Sequence, residues 1–534
     1  MSVKGAVQDI GARFLETARR LGSQPALIDR GVATSFAELA EDIEGLANGF
    51  LLSGLALNAR AAVLLPPSRE FFAVTFALFR AGVTPVLIDP GIGFGNMGRC
   101  LAEVEPEAFI GSAKAHAARV IGRWAPSARI KITSEYFFGL STLSKVRDLG
   151  RGRARDIPRA PENAHAAILF TSGSTGPAKG VVYEHAMFAA QLDMLRELFD
   201  IKEGESSLAT FPLFGLFDVA LGQTVVIPEM DFTRPGRVDP MAVIEPIQKH
   251  RIKQLFGSPA LLDCVGRFGA RHSIALPSLT RVMSAGAPVA ARTLARFSTM
   301  LNEGVPIHTP YGATEALPVA MIDSREILSE TAAKTAAGRG VCVGRPVPGV
   351  EVSIIGVDDG PIPAWSRELR LPQGETGEIV VKGSNVTGEY FRRPGEMARA
   401  KIGDGAGRWH RMGDLGYFDE RGRLWFCGRK AHRVKAGRGE LHSVCVEGIF
   451  NVHPEVKMTA LVGVGTTAVL CVELEARAPD RERVKSELLA LAAGFPMTRD
   501  ISLILFHPGF PVDVRHNAKI CREQLALWAA DRLS

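Results

Sequence analysis

The stretch from Ala166 to Gly180, AAILFTSGSTGPAKG, decides how the rest of the chain is read. It opens with Ala166-Ala167-Ile168-Leu169-Phe170, an apolar run short enough to be a buried strand. The strand gives way at once to Thr171-Ser172-Gly173-Ser174-Thr175-Gly176-Pro177-Ala178-Lys179-Gly180. Gly173, Gly176 and Gly180 let the backbone turn its N–H groups inward, and the hydroxyls add further donors. Lys179 places a positive charge at the end of the loop. A loop with this chemistry cradles phosphates. It is not a Walker A loop, because Lys179 is followed by Gly180 rather than by Ser or Thr. The plain alternative is a Ser/Gly surface linker, against which stand the strand before it and Val181-Val182 after it.

Around this loop lie 534 residues, too many for one core, so two or more domains are expected. The 63 basic and 57 acidic side chains leave a net charge of +6, a weak excess that gives no argument for nucleic acid, and no such partner is expected. The densest basic run, Arg151 to Arg159, sits among Asp156, Pro158 and Pro161 and reads as a solvated linker, a membrane- or partner-facing patch being the less favoured option. Seven cysteines are scattered with no CxxC pair or His spacing that points to zinc, as expected of reduced thiols in a cytoplasm. Met1 to Ile10 lacks a signal pattern. The most apolar region, Phe71 to Ile88, is broken by Arg80, Gly82 and Pro85, so no integral membrane span is expected. The protein is read as cytoplasmic.

Upstream of the loop, helical spacing covers Ile10 to Arg20 and Phe36 to Leu52. Ala61 to Leu65, Phe71 to Arg80 and Pro85 to Ile88 then read as strand, helix and strand, a βαβ unit and hence a parallel sheet. Downstream, His185 to Phe199 is an amphipathic helix. Gln254 to Gly257, Arg281 to Gly286 and Ile307 to Ala313 bring strands to Gly-bearing turns. In an open parallel sheet ligands sit beyond the carboxyl ends of the strands, so these turns point at one crevice. From Val341 short strands and turns indicate a small β subdomain. Gly428 to Gly439, GRKAHRVKAGRG, reads as a hinge. The remainder forms a small α+β domain with strands Thr459 to Val464 and Ala468 to Leu474. The fold class is therefore α/β: residues 1–428 a large domain with parallel αβα sheets and a small β subdomain, residues 429–534 a small mobile α+β domain.

Taken in order, the loop, Gly286-Ala287-Pro288, Tyr311-Gly312-Ala313-Thr314-Glu315, Trp409-His410-Arg411-Met412-Gly413-Asp414, Arg429 and Phe510 to Lys519 resemble the motifs of the adenylate-forming superfamily. That superfamily comprises acyl-CoA synthetases, luciferases and peptide-synthetase adenylation domains. The resemblance implies ATP and Mg²⁺ as cofactors. It places Thr171, Ser172, Gly173, Ser174, Thr175, Gly176 and Lys179 on the phosphates, and Gly286, Ala287, Pro288, Tyr311, Gly312, Ala313 and Thr314 around the adenine. Asp414 would hold the ribose, Arg429 would add a ribose or phosphate contact, and Thr171 and Glu315 would hold the metal. The flat face of Tyr311 and the hard oxygens of Glu315 suit those tasks. Lys519 would be the cation that bridges a substrate carboxylate and the α-phosphate when the domains close. Lys519, Glu315 and Lys179 are the expected catalytic residues.

Two departures from CoA-forming relatives bear on the acceptor. Gly428-Arg429-Lys430 is followed by Ala431-His432 where an Asp pivot is usual, and Gly215 stands where many relatives carry His. With wording such as LFGSPALL and WHRMGDLGYFDERGRLWFCGRK, they give a narrower resemblance to the β-lactone synthetases of bacterial long-chain olefin biosynthesis. It implies a 2-alkyl-3-hydroxy fatty acid substrate, and as partners a thiolase-like enzyme, a reductase and a β-lactone decarboxylase. Phe211, Phe214 and Phe217 are candidates for the acyl-chain wall, plain core packing being the alternative. Asp218, an acid inside that apolar run, is a candidate base for ring closure, or else a loop acid in water or a helix cap. An acyl-CoA synthetase and a non-catalytic nucleotide-binding scaffold remain as rival functions.

Overall fold

The computed structural model describes residues 9–153, 157, 159–170, 178–405, 407–436, 439–475, 480–513 and 519–533. Its first helix, Ile10–Leu21, begins where Asp9 accepts from the Ala12 N–H and buries Phe14, Leu15 and Ala18 on one side. The second, Phe36–Leu52, is held at its start by a capping box between Ser35 and Glu38. With Arg69–Arg80 these helices cover one sheet, and Phe14 stacks on Phe76 with centroids 4.6 Å apart.

That eight-stranded sheet holds the βαβ unit read from the sequence: Arg60–Leu64 and Thr84–Leu87 pair in parallel, and Ala108–Gly111 joins on the far side of Arg60–Leu64. His165–Phe170 lies parallel to Thr84–Leu87 and antiparallel to Gly180–Glu184. The proposed phosphate loop therefore links two antiparallel strands. This hairpin distinguishes it from a strand-to-helix P-loop, and it makes the sheet mixed rather than parallel throughout.

The larger, fourteen-stranded sheet has parallel neighbours Thr224–Ile227, Ser206–Leu208, Gln254–Phe256, Arg281–Met283 and Ile307–Ala313. Ile307–Ala313 turns back into Ala316–Asp323, and from there the sheet is antiparallel through Gly377–Gly383, Gly407–Phe418 and Leu424–Arg429. Short apolar strands with covering helices explain the parallel half; alternating strands with tight turns explain the other. Farther along, Val456–Val464, Thr467–Leu474 and Leu503–Phe506 form a three-stranded sheet with the helices Ser443–Phe450, Arg481–Ala493 and Arg522–Leu533. It has a separate core around Val446, Phe450, Leu470 and Leu488. The class is α/β, with a large N-terminal part and a small C-terminal one. Among the described residues no helix is long and apolar enough to cross a membrane.

Candidate active site

The carboxyl ends of Arg281–Met283 and Ile307–Ala313 open onto a cavity of ≈1150 Å³, at the large end of what binding sites occupy. Gly286, Ala287 and Pro288 line it after the first of these strands, and Tyr311 through Glu315 line it at the end of the second. Gly286 has φ +99, a conformation that L side chains resist, so the turn there requires glycine. Gly312 is needed for a different reason, because a Cβ at that position would lie 2.5 Å from the Ala316 carbonyl oxygen.

Asp414 reaches the same cavity from Gly407–Phe418, one residue after Gly413 at φ +66. It is buried but doubly held: Tyr311 Oη donates to its Oδ2 at 2.6 Å and Arg429 Nη1 to its Oδ1 at 2.8 Å. Arg429 stands opposite Asp414 in the antiparallel pair of strands. Burial and the adjacent Asp414 charge push the Tyr311 phenol well above its ordinary pKa, so it stays a donor.

Glu315 is organised from elsewhere in the chain. Tyr390 Oη donates to its Oε1 at 2.6 Å, and its backbone oxygen accepts from the Thr387 N–H at 2.8 Å. Beside them the buried Lys401 Nζ donates to the Thr387 carbonyl. Desolvation pulls the Lys401 ammonium down to about 7, against the opposing pull of Glu315. Lys179 lines the cavity, pairs with Glu396 at 2.7 Å and lies 5.3 Å above the Tyr390 ring. Tyr390, Lys401 and Thr387 were not singled out in the sequence, since no spacing ties them to Glu315.

Lys519 also lines the cavity. Its N–H donates to Asp513 Oδ1, and the Asp513 N–H returns a bond to its carbonyl, each at 2.8 Å. These two bonds and the isolated bridge between Val512 and Ile520 hold Asp513 and Lys519 side by side. Thr171, Ser172, Gly173, Ser174, Thr175 and Gly176 lie outside the described residues. Two buried hydroxyls in the lining, Ser284 Oγ and Ser443 Oγ, have no hydrogen-bond partner among the described residues. A buried hydroxyl left so is costly, and a polar ligand would satisfy it.

The other end of the cavity is apolar. Phe211, Phe214 and Phe217 line it from the helix Pro212–Ala220 and the residue before, with Phe188 and Phe256 packed against them. Asp218 does not line it. The helix turns Asp218 to the opposite side, where Ser207 Oγ and Gln254 Nε2 donate to its two oxygens at 2.6 and 2.7 Å. This corrects the expectation of a base facing substrate, and also both bland alternatives, since Asp218 is neither in water nor a helix cap. Burial nevertheless raises its pKa to about 6, against the two hydrogen bonds. Gly215, the second departure from CoA-forming relatives, does not line the cavity either. A Cβ there would lie 2.9 Å from Phe72 Cζ, so glycine serves close helix packing at that position.

One grouping overturns the impression that the cysteines are scattered. The ligating atoms of Cys427, His442 and Cys445 all lie within 4.8 Å of one another.

Residues 14–391 match the AMP-binding enzyme family. The chain is 48% identical over 514 residues to an olefin β-lactone synthetase of Xanthomonas campestris pv. campestris, covering 94% of this chain and 92% of that one. It is 45% identical over 548 residues to an olefin β-lactone synthetase of Stenotrophomonas maltophilia, covering 98% of each. Among solved structures, an amide bond synthetase from Marinactinospora thermotolerans superposes with a TM-score of 0.81 at 22% identity, over 98% of this chain and 99% of that one. An o-succinylbenzoate coenzyme A synthetase from Bacillus subtilis, in complex with ATP and magnesium ion, gives 0.76 at 21% identity, over 96% and 99%. These two likenesses concern the fold.

Proposed function

The chain belongs to the AMP-binding enzyme family, and from that premise we propose that it is an ATP-dependent, AMP-forming β-lactone synthetase acting on a 2-alkyl-3-hydroxy fatty acid. The observation that carries this is the convergence of Gly286, Tyr311, Glu315, Asp414 and Lys519 on one cavity whose far end is walled by Phe211, Phe214 and Phe217. The choice of a lactone as product is supported by the two olefin β-lactone synthetases, which match nearly end to end.

In this function Tyr311 and the Gly286-Ala287-Pro288 turn flank the adenine, and Asp414, oriented by Arg429, accepts from the ribose hydroxyls. The residues present fit Mg²⁺. Glu315 offers hard carboxylate oxygens at the cavity wall, and Tyr390 fixes one of them. When bound there, the ion supplies charge neutralisation to the phosphates. Thr171 would be its second ligand, and Lys179 with the hydroxyls of residues 171–175 would hold the phosphates.

The substrate carboxylate attacks the α-phosphorus, the bond from that phosphorus to the α,β-bridging oxygen breaks, and pyrophosphate leaves with that oxygen. Lys519 faces the negative charge that builds on both sides of that phosphorus. The substrate's own 3-hydroxyl then attacks the activated carbonyl. The bond from carbonyl carbon to the AMP oxygen breaks, the hydroxyl proton is released and the four-membered ring closes. A tethered nucleophile has a high effective molarity, so CoA is not needed. The hydrocarbon chain lies against the Phe wall. Residues 429–534 act as a lid carrying Lys519, with the boundary from residues 1–428 after Gly428. The enzyme works in the cytoplasm beside a thiolase-like enzyme and a reductase that supply its substrate and a decarboxylase that consumes the lactone. Identification of the product from ATP and a synthetic 2-alkyl-3-hydroxy acid, with and without CoA, tests the function.

A further inference from the structure

We propose that Cys427, His442 and Cys445 form a zinc-binding site that staples the start of the small C-terminal domain to the sheet of the large one. The three residues come from two elements on either side of the Gly428 to Gly439 stretch. Cys427 belongs to the strand Leu424–Arg429, His442 immediately precedes the helix Ser443–Phe450, and Cys445 stands in its first turn. Their ligating atoms gather within 4.8 Å of one another, the spread expected of a shared tetrahedral centre. Both thiols are buried, and the imidazole is part-exposed. Cys427 and Cys445 pack in an apolar cluster with Cys342, Leu415, Tyr417 and Trp425, where a thiol can serve as a small hydrophobe. An imidazole set against two thiols adds nothing to that packing, yet it is a common donor set for a borderline-soft cation.

The outer contacts agree. Glu440 Oε1 lies 3.3 Å from His442 Nε2, the carboxylate-to-imidazole pairing that orients a metal-bound histidine and leaves Nδ1 for the ion. The fourth position falls to water on the side where His442 is exposed. Hard cations such as Mg²⁺ are poorly matched to two thiolates, which separates this site from the one at Glu315.

Its position gives it a task. Ser443, Val444, Glu447 and Gly448, beside His442 and Cys445, line the large cavity, and Arg429, two residues after Cys427, pairs with Asp414. An ion joining Cys427 to the helix ties the beginning of the lid to the large domain's sheet and so favours the arrangement in which Lys519 faces the cavity. On the lactone reading a single arrangement suffices, since the acceptor hydroxyl enters with the substrate; the metal site itself does not depend on that reading.

The test uses the full, tag-free chain, reduced and stripped of metal with a chelator, then titrated with Co²⁺ as a spectroscopic stand-in for Zn²⁺. A thiolate-to-cobalt charge-transfer band with tetrahedral d–d bands, saturating at one ion per chain and lost on adding Zn²⁺, is expected. Cys445→Ser should abolish the band, and Glu440→Gln should weaken binding by roughly 10–100-fold. On the wild-type chain, so that folding of the variants is not at issue, Zn²⁺ should protect Cys427 and Cys445 from alkylation but not the partly exposed Cys264 and Cys521. Absence of the cobalt band, equal alkylation with and without Zn²⁺, or a Cys427–Cys445 disulfide in the purified protein would each overturn the proposal.

Discussion

Tyr311 donates through its hydroxyl to Asp414 Oδ2 at 2.6 Å, joining the end of a parallel strand to the middle of an antiparallel one. With Arg429 on the other oxygen, the carboxylate is held in position before any nucleotide arrives. Asp414→Asn removes the charge that pairs with Arg429 and one acceptor. A hydrogen bond to a charged group contributes roughly 1.5–3 kcal/mol, so the KM for ATP should rise about ten- to a hundredfold. Tyr311→Phe, which keeps the ring, should change it only a few-fold. The readout is the ATP dependence of pyrophosphate release; an unchanged KM in Asp414→Asn would remove this residue from the nucleotide site.

Lys519→Ala should all but abolish adenylation while ATP binding stays within a few-fold of normal. The lysine meets charge that develops mainly in the transition state, and loss of one such contact costs roughly 3–4 kcal/mol, a few hundredfold in rate. Pyrophosphate release and equilibrium ATP binding, measured on the same preparation, separate the two effects. Release near the wild-type rate would show that another cation does this work.

Glu315→Gln should weaken Mg²⁺-dependent turnover, with partial rescue at high Mg²⁺, because an amide oxygen is a poorer ligand than a carboxylate. Tyr390→Phe should act in the same direction and more weakly, since it removes only the bond to Oε1. A Mg²⁺ titration unchanged in Glu315→Gln would assign this residue a purely structural role.

Asp218 supports a prediction about stability rather than catalysis. Its folded pKa is raised from the model-peptide value of 3.8 to about 6. Between those values the native state holds a proton that the unfolded chain has lost. The stabilising contribution is therefore full below the unfolded pKa and is lost as pH rises through about 6. Asp218→Asn should flatten this part of the profile, retaining stability on the order of 1–3 kcal/mol at neutral pH relative to the wild-type trend. Because Asp218 faces Ser207 and Gln254 and not the cavity, lactone release should not slow more than adenylation does. Melting temperature from pH 4 to 8 checks the first statement, and single-turnover kinetics check the second.

Much of this architecture was legible in the chain. The helices Ile10–Leu21 and Phe36–Leu52 declare themselves through periodic burial and a cap, and the strands at Arg60–Leu64 and Thr84–Leu87 through short apolar runs bounded by Pro or Gly. Gly286, Tyr311, Glu315, Asp414 and Lys519 were legible because each belongs to a local motif, and the fold brings those motifs to one cavity. What depends on distant partners was not legible. Tyr390 lies 75 residues from Glu315, and no local pattern links them. Asp218 and Phe217 are adjacent in sequence, yet the rotation of about 100° between neighbours on a helix sends one to a polar cluster and the other to the cavity wall. The Cys427, His442 and Cys445 group exists only once the strand and the helix after the hinge are packed together.

The most direct test of β-lactone synthesis is a product analysis with ATP, Mg²⁺ and a 2-alkyl-3-hydroxy acid, run beside its 3-deoxy analogue, each with and without CoA. The expected result is a β-lactone and AMP from the hydroxy acid, unchanged by CoA, and an acyl-adenylate that goes no further from the deoxy analogue. Stoichiometric consumption of CoA with either acid, and a thioester in place of the lactone, would contradict it.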